Sequence, residues 1–194
     1  MVIFLLLSLK WVVSAEAGMS QQVYVWQRNW TASVKAAIRG NSEIVDGITV
    51  LCAEISIAGG VPNRINVSPD WEVLRSINCP VTLAIRVGNY AGPFESDAPL
   101  TKALLNEVEE TLNAARTAGL EPAGIEIDFD CATRHLEGYA RWLRLIRVRL
   151  GSVPLSVTTL PTWMGRAKAF GELVGEADRF VLQVHSIQRA DHIN

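Results

Sequence analysis

Beyond residue 18 the chain alternates between two hydrophobic periods. Short runs rich in β-branched and aromatic residues predict strands over Val23–Gln27, Gly47–Ile57, Val81–Val87, Ile125–Phe129, Leu155–Leu160 and Phe180–His185. Between them, apolar residues recur at spacings of three and four. Those stretches predict helices over Thr31–Arg39, Pro69–Ile77, Leu100–Ala118, Leu136–Leu150 and Lys168–Glu176. The clearest of these places Leu100, Leu104, Val108, Leu112 and Ala115 on one stripe and stops at Gly119. Residues 88–98, rich in Gly, Pro, Ser and Asp, predict a loop. Each of the first five strands is followed by a helix, an order that implies a parallel sheet with helices outside it.

A barrel and a doubly wound open sheet both satisfy that order, and the parity of polar residues separates them. Neighbouring side chains on a strand point to opposite faces. Residues 81–87 put Thr82, Ala84 and Arg86 on one face and Val81, Leu83, Ile85 and Val87 on the other. Residues 124–130, Gly-Ile-Glu-Ile-Asp-Phe-Asp, oppose Glu126, Asp128 and Asp130 to Ile125, Ile127 and Phe129. The last strand opposes Gln183 and His185 to Phe180, Leu182 and Val184. Strands covered by helices on both faces read as apolar throughout. A polar face recurring on several strands instead predicts an α/β, (β/α) TIM-barrel-like fold with a polar interior. A closed barrel has eight strands and typically about 250 residues. Six strands are legible here, so the expectation is an incomplete barrel of about six βα units over residues 18–194, either truncated at its C-terminal end or with the last two units replaced by other structure.

The three alternating acids carry the chemistry. Singly, each has an ordinary explanation: Asp130 or Thr133 capping the following helix, or Glu126 pairing with Arg86. Together they form a face that cannot enter an apolar core, because buried charge needs partners. Barrel active sites lie at the C-terminal ends of the strands. Arg86, Glu126, Asp128, Asp130, Gln183 and His185 are therefore expected to converge there, with Arg86 offsetting part of the acidic charge.

Charge and composition narrow the partners. The 194 residues are 49% hydrophobic with a formal net charge of −2, enough for one sizeable core. No basic stretch is interleaved with aromatics, so nucleic acid is not expected as a partner. Arg134, Arg141, Arg144, Arg147 and Arg149 read as the solvated face of a helix. Residues 1–17 have an apolar run, Val2–Leu9, interrupted by Lys10, and end in Ala15-Glu16-Ala17, an A-x-A cleavage pattern. They are expected to be a signal peptide, and the protein to be exported, to the periplasm or outside the cell. An uncleaved anchor is the alternative, and the run is short for a stable membrane span. Three cysteines are an odd number. Cys52 reads as core, and Cys79 and Cys131 fall at opposite strand ends, so no disulfide is expected.

Ala123-Gly124-Ile125-Glu126-Ile127-Asp128-Phe129-Asp130 resembles the D-G-x-D-x-D-x-E strand of glycoside hydrolase family 18, the chitinases and their non-catalytic relatives. Gly124 and Asp128 match in type, Glu126 stands for an Asp, Asp130 for the catalytic Glu, and Ala123 for the first Asp. The chain from Val23 to His185 also resembles an uncharacterised bacterial family of TIM-barrel domains of unknown function. That likeness rests on Tyr24-Val25-Trp26-Gln27-Arg28, the acidic strand, residues 155–163 (LSVTTLPTW), and Leu182-Gln183-Val184-His185. The chitinase resemblance implies a glycosidic substrate, with Asp130 as general acid, Asp128 as the orienting carboxylate and Glu126 deeper. Trp26 and Trp163 are candidate sugar-stacking surfaces; Tyr90 reads more readily as an ordinary loop aromatic. Arg28, Glu54, Arg86, Gln183 and His185 complete the candidate substrate-binding set. On the last strand, where chitinases place a Tyr and an Asp, this sequence has Gln183 and His185.

Glycosidic cleavage needs a carboxylic acid to protonate the leaving oxygen and a second group to stabilise the oxocarbenium ion. Acids two apart on a strand sit roughly 6.6 Å apart along the backbone, close enough for one to hold a proton for the other. No cofactor is expected. Two other functions use the same cleft: a carbohydrate-binding barrel without catalysis, and a metal-dependent hydrolase with Glu126, Asp128, Asp130 and His185 as ligands.

Overall fold

A computed structural model describes residues 19–184. Seven strands form one sheet: β1 (Gln22–Val25), β2 (Gly47–Ala58), β3 (Val61–Asn66), β4 (Val81–Val87), β5 (Gly124–Phe129), β6 (Leu155–Thr159) and β7 (Arg179–Leu182). Five helices accompany them: α1 (Ala32–Asn41), α2 (Trp71–Ser76), α3 (Pro99–Thr117), α4 (Leu136–Leu150) and α5 (Ala167–Val174). The sheet order is β1-β2-β4-β5-β6-β7, every neighbouring pair parallel, with β3 antiparallel on β2. The six expected strands are therefore these six in sequence order. The sheet never reverses its order, as a doubly wound sheet would.

The sheet is curled. The Tyr24 hydroxyl on β1 donates to Glu126 Oε2 on β5, 3.2 Å away, across two intervening strands. In a flat sheet those strands would lie roughly 14 Å apart. Curling sorts the side chains into two layers. The convex layer holds the core: Val50, Leu83, Ile85, Ile125, Ile127, Phe129, Leu155 and Val157 are buried beneath the helices. The α3 stripe of Leu100, Leu104, Val108, Leu112 and Ala115 is buried against it, as is the α4 stripe of Leu136, Tyr139, Leu143, Ile146 and Leu150. Trp142 Nε1 donates to Thr101 Oγ1 at 2.7 Å, which satisfies the indole between α3 and α4. The concave layer carries the polar positions.

The sequence reading missed β3. Gly59 and Gly60, at φ +58° and +82°, turn the chain directly from β2 into it, a conformation glycine adopts without strain. Arg64 on β3 then reaches α3. Its guanidinium donates to the buried Glu107 at 3.0 Å and contacts Glu110 at 2.6 Å, fastening the hairpin to the helix. A second irregularity is a β-bulge between Leu51 and Ala53, where β2 shifts register against β4. Cys52 faces the convex core with Val50 and Ile55, while Glu54 takes the register position beside Arg86.

Four of the five arginines of residues 134–149 pair with carboxylates: Arg141 with Glu95, Arg144 with Glu176, Arg147 with Asp178 and Arg149 with Glu109. The basic run is a paired helix surface, as read from sequence. Cys52, Cys79 and Cys131 are all free thiols. No described helix is long and apolar enough to cross a membrane. Residues 1–17, with the expected signal peptide, lie outside the described residues, and so does His185.

Candidate active-site cleft

The site is built on two tiers of the concave face. In the lower tier Glu126 is 2% exposed. Its Oε2 accepts from Tyr24 and, at 3.1 Å, from Ser156 Oγ on β6. Its Oε1 is buried with no hydrogen-bond partner among the described residues. Burial raises the Glu126 carboxyl to about 7, against the pull of its two hydroxyl donors. Burial, then the Glu126 charge, raises the Tyr24 phenol as well.

In the upper tier Asp128 is nearly buried and fully engaged. Oδ1 accepts from Thr158 Oγ1 at 2.7 Å and from Gln183 Nε2 at 3.1 Å, and Oδ2 stands 3.5 Å from Arg86 Nε. Burial raises the Asp128 pKa, opposed by Thr158, Arg86 and Gln183 and reinforced by the Asp130 charge. Beside Arg86, in register on β2, lies Glu54, held by Arg28 in a fork of 2.5 and 2.8 Å. That fork lowers the Glu54 pKa. A belt of alternating charge thus runs Arg28–Glu54–Arg86–Asp128 and ends on the neutral donors Thr158 and Gln183.

Asp130, one pleat further along β5, is exposed at the cleft mouth. The cleft has a volume of about 500 Å3 and is lined by Tyr24, Trp26, Arg86, Asp128, Asp130, Thr158 and residues 181–184. The first and last strands thus face one another across it. Trp26 is 39% exposed and stacks on Tyr24, with ring centroids 5.5 Å apart and planes 13° apart.

Arg86, Asp128, Asp130, Gln183 and Trp26 come together as expected, Glu126 lies beneath them, and the Arg28–Glu54 pair flanks them. Arg86 is the counter-ion of Asp128 rather than of Glu126. Asp130 caps nothing: α4 follows a short 3-10 turn at Thr133–His135 and has no side-chain cap.

Trp163 corrects the sequence reading. It is fully buried, its Nε1 donates to the Cys131 carbonyl at 3.0 Å, and its ring meets Tyr139 edge-on. The 3-10 stretch Pro161–Arg166 follows β6 directly and tucks the indole into the core, so Trp163 offers no surface to a sugar. Tyr90 belongs to the loop as read: it stacks on Trp142 and donates to the Pro93 carbonyl.

Three site residues went unread: Tyr24, Ser156 and Thr158. Ser156 and Thr158 alternate with Leu155 and Val157, the same parity signal that marks β4 and β5. Among the described residues no three His, Cys, Asp or Glu side chains stand in metal-holding geometry.

Comparison with solved structures finds the same fold in longer proteins. The spore cortex-lytic enzyme SleL of Bacillus cereus superposes with a TM-score of 0.56 at 22% identity, over 84% of this chain and 40% of that one. SleL of Bacillus megaterium gives 0.59 at 17% identity, over 84% and 41%. A chitinase of Chromobacterium violaceum gives 0.57 at 14% identity, over 88% and 57%. The chain thus spans about two fifths of the spore enzymes and somewhat over half of the chitinase. No curated protein matches the sequence. The profile of a domain of unknown function, DUF3142, matches residues 80–192, more than half of the sequence and the part that carries β4 to β7. The chain therefore belongs to the DUF3142 family, with a (β/α) half-barrel fold shared with the SleL enzymes and the chitinase.

Proposed function

We infer that the protein is a glycosidase-like hydrolase that cleaves a glycosidic bond by carboxylic general acid catalysis. The observation that carries this reading is the graded set of carboxyl groups in one cleft: an exposed Asp130, an Asp128 held by Thr158, Gln183 and Arg86, and a buried Glu126 raised to about 7. In this reading the protonated Asp130 gives its proton to the leaving oxygen as the glycosidic C–O bond breaks, and water then adds to the anomeric carbon and returns a proton to the Asp130 carboxylate. Asp128, rigidly held, orients the reacting sugar and balances the developing positive charge. Burial raises Glu126 to about 7, so below that pH it is mostly protonated and adds little negative charge beside Asp128. Trp26 supplies a face on which a sugar ring can stack. The fold shared with family 18 proteins supports a carbohydrate ligand, and the apolar Val2–Leu9 run supports action outside the cytoplasm.

Asp130 is one methylene shorter than the Glu that chitinases carry there, and this favours a second reading, a carbohydrate-binding barrel without turnover. Release of reducing ends from a panel of oligosaccharides, with and without chelator, separates the readings. The hydrolase reading expects chelator-resistant turnover of at least one substrate. Binding with no turnover across the panel would establish the binding module. Loss of turnover on chelation would instead point to a metal-dependent hydrolase.

A further inference from the structure

The belt of charge leaves the terminal nitrogens of one guanidinium without a partner among the described residues. Arg28 spends its fork on both oxygens of Glu54. Arg86 makes only the 3.5 Å approach of its Nε to Asp128, and no hydrogen bond to any described residue. Asp128 does not depend on it, since Thr158 and Gln183 already donate to its other oxygen. The Arg86 side chain is 55% exposed and lines the cleft beside Asp130. A planar fork of donors whose terminal nitrogens have no partner among the described residues, at the mouth of a cleft with an aromatic wall, is the geometry that binds a carboxylate in a bidentate manner. The remaining charges permit an anionic ligand. Arg28 cancels Glu54, Arg86 faces Asp128, and burial raises Glu126 to about 7, so the terminal nitrogens of Arg86 are the cationic donors that the cleft presents to an anionic ligand.

We propose that Arg86 is a specificity residue and that the cleft takes a saccharide bearing a carboxylate, of the uronic-acid class, with that carboxylate on the Arg86 guanidinium. This rests on the reading of the cleft as a saccharide site and goes beyond it by naming the charge of the sugar.

The test is calorimetric binding of three hexasaccharides to the full chain: hyaluronan, the same oligosaccharide with its carboxyl groups reduced to alcohols, and neutral chitin. A sulfated, carboxyl-reduced hyaluronan is the fourth arm. Hyaluronan is expected to bind roughly tenfold to a hundredfold tighter than its reduced form, the usual worth of charge-assisted hydrogen bonds. That preference is expected to vanish in Arg86→Gln and to shrink in Arg86→Lys, which keeps the charge beside Asp128 but not the fork. Equal binding of hyaluronan and its reduced form overturns the proposal and leaves the saccharide cleft standing. So does a preference that survives in Arg86→Gln. A sulfated form that binds as tightly as hyaluronan overturns the assignment to carboxylate. Failure of all four to bind overturns both this proposal and the saccharide reading.

Discussion

Glu126→Gln isolates the buried carboxyl at the base of the cleft. Glu126 titrates at about 7 in the folded protein against an ordinary 4.5, and it is buried. The folded value lies above the unfolded one, so its contribution to stability is fully present below about pH 4.5 and is lost as pH rises through about 7. At about 1.4 kcal/mol per pH unit, that difference is worth up to about 3 kcal/mol by pH 8.5. Glutamine copies the protonated acid. Its oxygen can accept from Tyr24 and Ser156, and its amide takes the place of Oε1, which has no partner in the parent among the described residues. The variant is therefore expected to match the parent to within about 1 kcal/mol near pH 4.5, to exceed it progressively from about pH 5, and to hold a nearly constant lead above about pH 7. Asp128, also raised by burial, titrates in both proteins and largely cancels from the comparison. Thermal melts across pH 4.5–8.5 read the gap directly. At roughly 2–4 °C per kcal/mol for a domain of this size, it should open to as much as about 10 °C. Parallel profiles across that range would show that Glu126 is ionised and compensated in the folded state, and would refute the assignment of the proton.

Other substitutions probe the frame that holds the cleft. A Cβ at Gly138 would meet the Phe94 ring at 2.4 Å, so Gly138→Ala should cost about 1–3 kcal/mol in urea unfolding, and Phe94→Leu should recover part of it. Trp163→Ala should cost about 3–5 kcal/mol while saccharide affinity of the folded fraction is unchanged, because the indole is core rather than cleft wall. Trp26→Ala should do the reverse, weakening saccharide binding by about tenfold in calorimetry with a melting point within about 2 °C of the parent.

The legible and illegible parts of this fold differ for physical reasons. Alternating polar parity on residues 81–87 and 124–130 reveals a concave polar face because a one-residue period error would bury three carboxylates in the helical layer. The same logic applied to residues 155–159 exposes Ser156 and Thr158, whose short side chains give a weaker polar signal than charge. Glu54 was not legible in this way. The bulge at Cys52 shifts the parity of β2, and nothing in the apolar run Gly47–Ile57 marks an extra residue. The hairpin into β3 is announced by Gly59-Gly60, but Pro62 and two asparagines in the returning strand mask its strand character. Trp163 misled because a tryptophan beside a strand end serves equally as cleft wall or as core. Only the path of the chain after Pro161 decides between them.

The measurement that bears most directly on the proposed chemistry is the turnover ratio of the parent and Asp130→Asn proteins on the best oligosaccharide of the panel, with affinity measured alongside. Asparagine keeps the shape of Asp130 and removes its proton. If Asp130 is the general acid, the ratio will be on the order of 10²–10⁴ with affinity nearly unchanged. Equal turnover by the two proteins would contradict that role and with it the assignment of the cleft's chemistry to the carboxylates of β5.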